Sequence, residues 1–245
     1  MRNSMVLSVM LWLIFSGGVI YGSMRWLLCL ADGETTVFVP GKKRNILGSL
    51  AFGNAIIIAV ICGMEEPWGT FAGGGRYLHL GIEGALLSLL AGGLLAAACM
   101  DEENCYVYNY VWWWCLLWTG ILLGVSYGGA NTVTGAWGHP LQISIRQAAA
   151  VAMFVALQQY LFARMYGRAD SHAFSVCAMI SCHWQGEMQW FLIHMLLALT
   201  LLALVQLWKG NVTRRGKLRT PKPFIPYIIT TFWMEILWMR CQQGV

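Results

Sequence analysis

Apolar residues in this chain gather into long unbroken runs separated by short polar, charged or glycine-rich interruptions. Segments 5–24, 46–64 and 188–208 contain no Asp, Glu, Lys or Arg. A hydrocarbon layer of ~30 Å needs about 20 apolar helical residues to cross it, and these runs are long enough. Extending the same reading along the chain predicts helical spans at 5–30, 45–64, 79–100, 108–128, 143–165, 171–183, 188–208 and 224–240. Segment 104–145 carries no charge, but its stretch 126–140, rich in Gly, Asn and Thr and ending in Pro140, predicts a loop after the fourth span. The sixth segment is short and has His172 and His183 near its two ends, which suggests a half-helix or re-entrant piece. The expected architecture is all-α: one membrane-embedded domain over 1–245, a transmembrane bundle of about seven to eight spans.

Composition agrees and excludes the main alternative. Of 245 residues, 58% are hydrophobic and 11% charged, against about 25% charged in soluble proteins. That is too few ionic groups to coat a water-facing surface. Arg2 before an apolar stretch resembles a secretory signal, but the stretch runs on to Leu30 without a small-x-small cleavage site, so it reads as a retained span. Lys42, Lys43 and Arg44 follow the first span, Arg164 and Arg168 the fifth, and Lys209, Arg214, Arg215, Lys217, Arg219 and Lys222 the seventh. With alternating crossings these fall on one face, assigned to the cytoplasm. Asp101 to Glu103 is acidic and reads as a connection on that same face, which does not overturn the assignment. The basic patch between spans lacks interleaved aromatics, so anionic lipid rather than nucleic acid is its expected partner. The eight cysteines form no C-x-x-C pair. No metal site, disulfide framework or cofactor is expected.

Ionisable groups at membrane depth are costly and mark function. The carboxylates in or near spans are Asp32, Glu83, Asp170, Glu187 and Glu235. Asp32 closes the first span and Asp170 the fifth, at similar depth on the predicted cytoplasmic face. Two carboxylates brought close share a proton. The ionised one can then activate water while the protonated one donates to a carbonyl oxygen. By position alone, each is also what a helix cap or solvated interfacial group looks like.

Gly167-Arg168-Ala169-Asp170, followed by Ser171-His172-Ala173-Phe174, resembles the Gly-x-Gly-Asp motif of the type IV prepilin peptidases. Asp32 with Thr35, Thr36, Val37, Val39 and Pro40 is similar to that family's first motif, an Asp followed by a short basic stretch and Ile-Pro-Asn. Pro223-Phe224-Ile225-Pro226 is similar to a Pro-Phe-Gly-Pro segment that opens a late helix in these enzymes. The chain departs from the pattern at Ala169, where the family has Gly, at His172, where it commonly has Lys, and at Gly41, where it has Asn. It also lacks the paired-cysteine metal loop of larger members. The resemblance implies a membrane aspartyl endopeptidase with Asp32 and Asp170 as catalytic pair and Gly167, Arg168, Ala169, His172, Pro223 and Pro226 as supporting motif. Its partner would be a prepilin or pseudopilin-like precursor at the inner face of a bacterial plasma membrane.

Two rival readings stay open. A small transporter or channel would use Glu83, Glu235 and Arg146 to line a path, and a non-catalytic membrane subunit descended from the peptidase would explain the departures. His194 and His183 read as core packing. Trp112, Trp113, Trp114 and Trp118 read as an aromatic belt, and Gly73 to Gly75 as a loop without phosphate-binding context.

Overall fold

A computed structural model describes residues 2–32, 41–64, 74–132, 145–182, 188–212 and 223–243. Among these there are eight α-helices, one short 3-10 turn and no strand. The helices are α1 (Arg2–Asp32), α2 (Gly41–Met64), α3 (Gly74–Asn104), α4 (Asn109–Thr132), α5 (Ile145–Tyr160), α6 (Arg168–Ser181), α7 (Met188–Val212) and α8 (Ile225–Gln243). Each sits on one of the eight apolar segments. Three stretches are long and apolar enough to cross a membrane: Met10–Ala31, Gly81–Glu103 and Met188–Trp208. Leu11, Ile14, Phe15, Leu196, Leu204 and Leu207 on two of them are exposed, a surface suited to lipid rather than water.

Three boundaries differ from the sequence expectation, each for a local reason. Helix α3 runs to Asn104 and carries Asp101 in its last turn, because charge at a helix end does not stop backbone hydrogen bonding. Cys105, at φ 49°, ends it, its amide donating to the Asp101 carbonyl at 2.8 Å, the left-handed terminus usual after a helix. Helix α4 continues to Thr132, since glycine lowers helix propensity by only about 1 kcal/mol; the rest of the expected loop lies outside the described residues. The fifth segment is not one rod. Helix α5 ends at Tyr160 and tightens into the turn Phe162–Arg164, with Met165 donating to Phe162 at 2.9 Å. Helix α6 has 14 residues, about 21 Å of length. That is too short to cross a bilayer alone.

The chain divides into two compact units. The first comprises Met1–Ala96, Tyr108–Leu141 and Met239–Val245; the second comprises Ala97–Val107 and Gln142–Trp238. In the first unit α1 packs on α2, and α4 is tied to its neighbours by side chains that reach backbone carbonyls. Tyr110 donates to the Leu27 carbonyl at 2.9 Å, and Trp114 to that of Leu89 at 3.1 Å. Trp114 also meets Trp26 and Trp118, so it works as an internal tie, while Trp113 is exposed. Small residues permit these approaches, as expected where helices meet in lipid. A Cβ on Gly92 would clash with Ser23 Oγ and fall 3.0 Å from the Ile20 carbonyl. One on Gly93 would fall 2.7 Å from the Trp114 ring.

In the second unit α5 packs on α6 and α7. Gln159 donates to Ser175 Oγ at 3.0 Å, and the Phe154 and Phe191 rings stand 5.3 Å apart. Replacing Gly92 by Ala is predicted to cost about 1–3 kcal/mol by overpacking, read as a lowered midpoint in detergent-titrated unfolding. Replacing Gly48, whose Cβ would meet open space, serves as the neutral control.

Candidate functional site

Gly167 breaks the chain between the 3-10 turn and α6 for a stereochemical reason. Its backbone stands at φ 131°, ψ 156° as the residue preceding α6, a region that residues with a Cβ rarely enter. It is therefore the N-cap of α6. Space is the second reason, because a Cβ there would lie 3.3 Å from Asp170 Oδ2. The glycine thus lets the backbone close over the carboxyl three residues on. Asp170 itself lies in the first turn of α6 and is buried.

The acidic group whose charge reaches Asp170 is Asp101, from the last turn of α3. Asp101 is buried, and its Oδ2 accepts from the backbone amides of Phe224 at 2.8 Å and Ile225 at 3.0 Å. These are N–H groups at the start of α8, which have no partner within their own helix. A carboxylate is the group a helix N-terminus favours. Pro223 and Pro226 bracket the two donors, and proline suits a first helical turn because its missing N–H would be unbonded there. One end of α8 is thereby pinned to α3 across 123 positions of sequence.

Burial pushes Asp170 up to about 7, and the nearby Asp101 charge adds to the rise. The thiol of exposed Cys105 is likewise raised, by burial and then by Asp101 and Asp170. These two carboxyls and one thiol therefore share a local field. Tyr166 borders it, hydrogen-bonded to Gln158. Burial chiefly raises the Tyr166 phenol, its bond to Gln158 opposes this, and the Asp170 charge adds. An aromatic triangle closes the wall: Tyr166, Phe174 and Phe224 have ring centroids 5.7 to 5.9 Å apart. It joins the segment before α6, α6 itself and the start of α8.

Of the residues singled out in the sequence, Gly167 and Asp170 stand together, and Pro223 and Pro226 flank the amides that hold Asp101. Arg168 is exposed, while Ala169 and His172 are half-buried. Asp32 is the last residue of α1, in the first unit; its side chain lies outside the described residues, as do Thr35 to Pro40, His183 and Glu187. Glu83 is buried in the first unit, Glu235 is buried beside His194 in the second, and Arg146 is exposed. No group of three or more His, Cys, Asp or Glu forms a metal-holding cluster among the described residues.

Asp101 is the residue that the sequence reading passed over. Grouped with Glu102 and Glu103, it counted only as loop charge. A local signal was present: Asp101 directly follows the uncharged run 84–100 and so stands at the end of an apolar span. Comparison of the chain with protein-family models, with curated proteins and with solved structures finds no match.

The Asp170 shift fixes a sign for stability. Its proton is bound more tightly folded than unfolded, so between the ordinary value of 3.8 and about 7 the native state carries the extra proton. Stability contributed by this group is therefore fully present below that window and lost as pH rises through it. Asp170→Asn is predicted to be more stable than the parent at about pH 8, by up to about 4 kcal/mol. The advantage should vanish toward about pH 4, as followed by unfolding midpoints across pH.

Proposed function

We propose that this chain is a membrane aspartyl endopeptidase of the prepilin-peptidase kind, in which Asp170 and Asp101 form the working pair. One observation carries the reading: Asp170 is buried and held up to about 7 beside a second buried carboxyl. On this reading the two carboxyls titrate as a unit, with one proton between them near neutral pH. The charged member takes a proton from water as that water attacks the scissile carbonyl carbon. The protonated member gives its proton to the carbonyl oxygen. Collapse of the tetrahedral gem-diol then breaks the C–N bond: the newly protonated carboxyl gives its proton to the leaving amine, and the ionised one takes a gem-diol hydroxyl proton, which restores the pair. No metal is required by this sequence of steps.

The surroundings suit the chemistry. Exposed Cys105 and Arg168 adjoin the buried carboxyls, which supports a pair set between the surface and the apolar interior. A leader peptide that joins a water-soluble stretch to a hydrophobic helix presents its junction at such a boundary. On this reading the eight helices supply about seven to eight crossings of a bacterial plasma membrane. On the same reading the carboxyl pair faces the cytoplasm, the side that basic connections favour.

The choice of Asp101 over Asp32 is itself testable, using a co-expressed precursor that carries a prepilin-type leader. Asp170→Asn and Asp101→Asn are each predicted to lower cleavage by about 100-fold or more without loss of membrane insertion. The amide carbonyl of Asn still accepts from the start of α8, so Asp101→Asn keeps the cap. Asp32→Asn is expected to cleave as the parent does. Normal cleavage by the Asp170 variant would refute the assignment. Loss in Asp32→Asn with retention in Asp101→Asn would return the role to Asp32.

A further inference from the structure

A second buried pair, unused by the chemistry above, lies between α7 and α8. His194 Nδ1 stands 3.9 Å from Glu235 Oε2, and both side chains are almost fully enclosed. The other ring nitrogen, Nε2, lies 2.8 Å from the Ile228 carbonyl oxygen. An oxygen of that kind only accepts, so Nε2 carries the hydrogen. The separation on the Nδ1 side exceeds the 2.7–2.9 Å of a charge-assisted bond. Glu235 Oε1 has no hydrogen-bond partner. Two bare charges held this loosely in an apolar interior would be strongly unfavourable. The arrangement therefore describes a neutral imidazole and a protonated carboxyl.

The Ile228 carbonyl sits one turn into α8, and from it a short ladder leads to Asp101. Ile228 N–H donates to the Phe224 carbonyl at 3.3 Å, and Phe224 N–H donates to Asp101 Oδ2 at 2.8 Å. Thr231 shares the Ile228 carbonyl at 3.1 Å, but that bond stays within α8 and ties it to nothing else. His194 is the donor from a neighbouring helix. Its ring is also wedged between Phe174 at 5.3 Å and Phe232 at 5.9 Å, so its height along α7 is fixed.

We infer that His194 is a positioning residue: through the Ile228 carbonyl it sets the first turn of α8, and so the two amides that hold Asp101. Glu235 Oε2, 3.9 Å from Nδ1, makes no hydrogen bond to it and presents that nitrogen with a buried carboxyl in place of a second acceptor. The structural part stands on its own geometry. Its consequence for cleavage rests on the function proposed above.

The test separates a donor from a packing group by two variants with opposite deficits. His194→Gln keeps a donor at about the position of Nε2 but loses the ring. His194→Phe keeps the ring against Phe174 and Phe232 but loses the donor. Amide hydrogen exchange over 224–228, measured on the full-length protein in lipid nanodiscs, reads the α8 start directly. The expected result is exchange about fivefold to tenfold faster in His194→Phe, with parental exchange in His194→Gln and in Glu235→Gln. Precursor cleavage should fall where exchange quickens. Nitrogen-15 spectra of the parent imidazole should show Nε2 protonated and Nδ1 bare, a result independent of any variant's folding. A protonated Nδ1, slowed or unchanged exchange in His194→Phe, or loss in His194→Gln each overturns the inference. If instead the Asp101 and Asp170 variants cleave normally, the proposed function fails while the exchange result still decides the role of His194.

Discussion

The start of α8 rests on a single acceptor. Asp101 Oδ2 takes both the Phe224 and the Ile225 amides, and no residue within α8 can take them, since they precede its first full turn. In an apolar interior an amide without a partner costs free energy of the order of 1–3 kcal/mol. The contact therefore fixes where α8 begins relative to the last turn of α3. It also fixes where the Asp101 carboxyl points, and so sets the electrostatic surroundings of Asp170. The Tyr166–Phe174–Phe224 triangle fills the apolar side of the same junction.

Around this junction the second unit divides its labour by side-chain type. Aromatic rings line the apolar side, and amides and hydroxyls such as Gln159 and Ser175 bond α5 to α6. Glycine appears where backbone and carboxyl approach too closely for a Cβ, most clearly at Gly167. A buried acid is unfavourable as an anion, which is why Asp170 holds its proton to about 7. The same burial that costs stability at alkaline pH leaves the group able to give and take a proton near neutrality, the property on which the proposed chemistry depends.

Legibility in the sequence followed the length scale of the interactions. Helix positions were readable because an apolar run of about 20 residues is a local signal, and all eight runs became helices. Boundaries were less readable where the cue was composition. The glycines after Ser126 did not stop α4, and the acidic cluster after Met100 did not stop α3. Gly167 and Asp170 were legible as a local pattern. Asp101 was not, because what marks it is a bond to amides 123 and 124 positions away. Counting charges for topology placed it in a loop and hid its burial. Asp32 ends an apolar run in plain view of the sequence.

The central claim is that Asp101 and Asp170 feel each other's charge within one site. Infrared spectroscopy of protein labelled with carbon-13 aspartate can follow the Asp170 carboxyl stretch through a pH titration, in the parent and in Asp101→Asn. The account predicts a parent midpoint near 7 and a clearly lower one in the variant. The midpoint should still lie above the ordinary carboxylate value, because burial persists. An identical midpoint in the two proteins would contradict it, since the second acid would then lie too far away to share a proton.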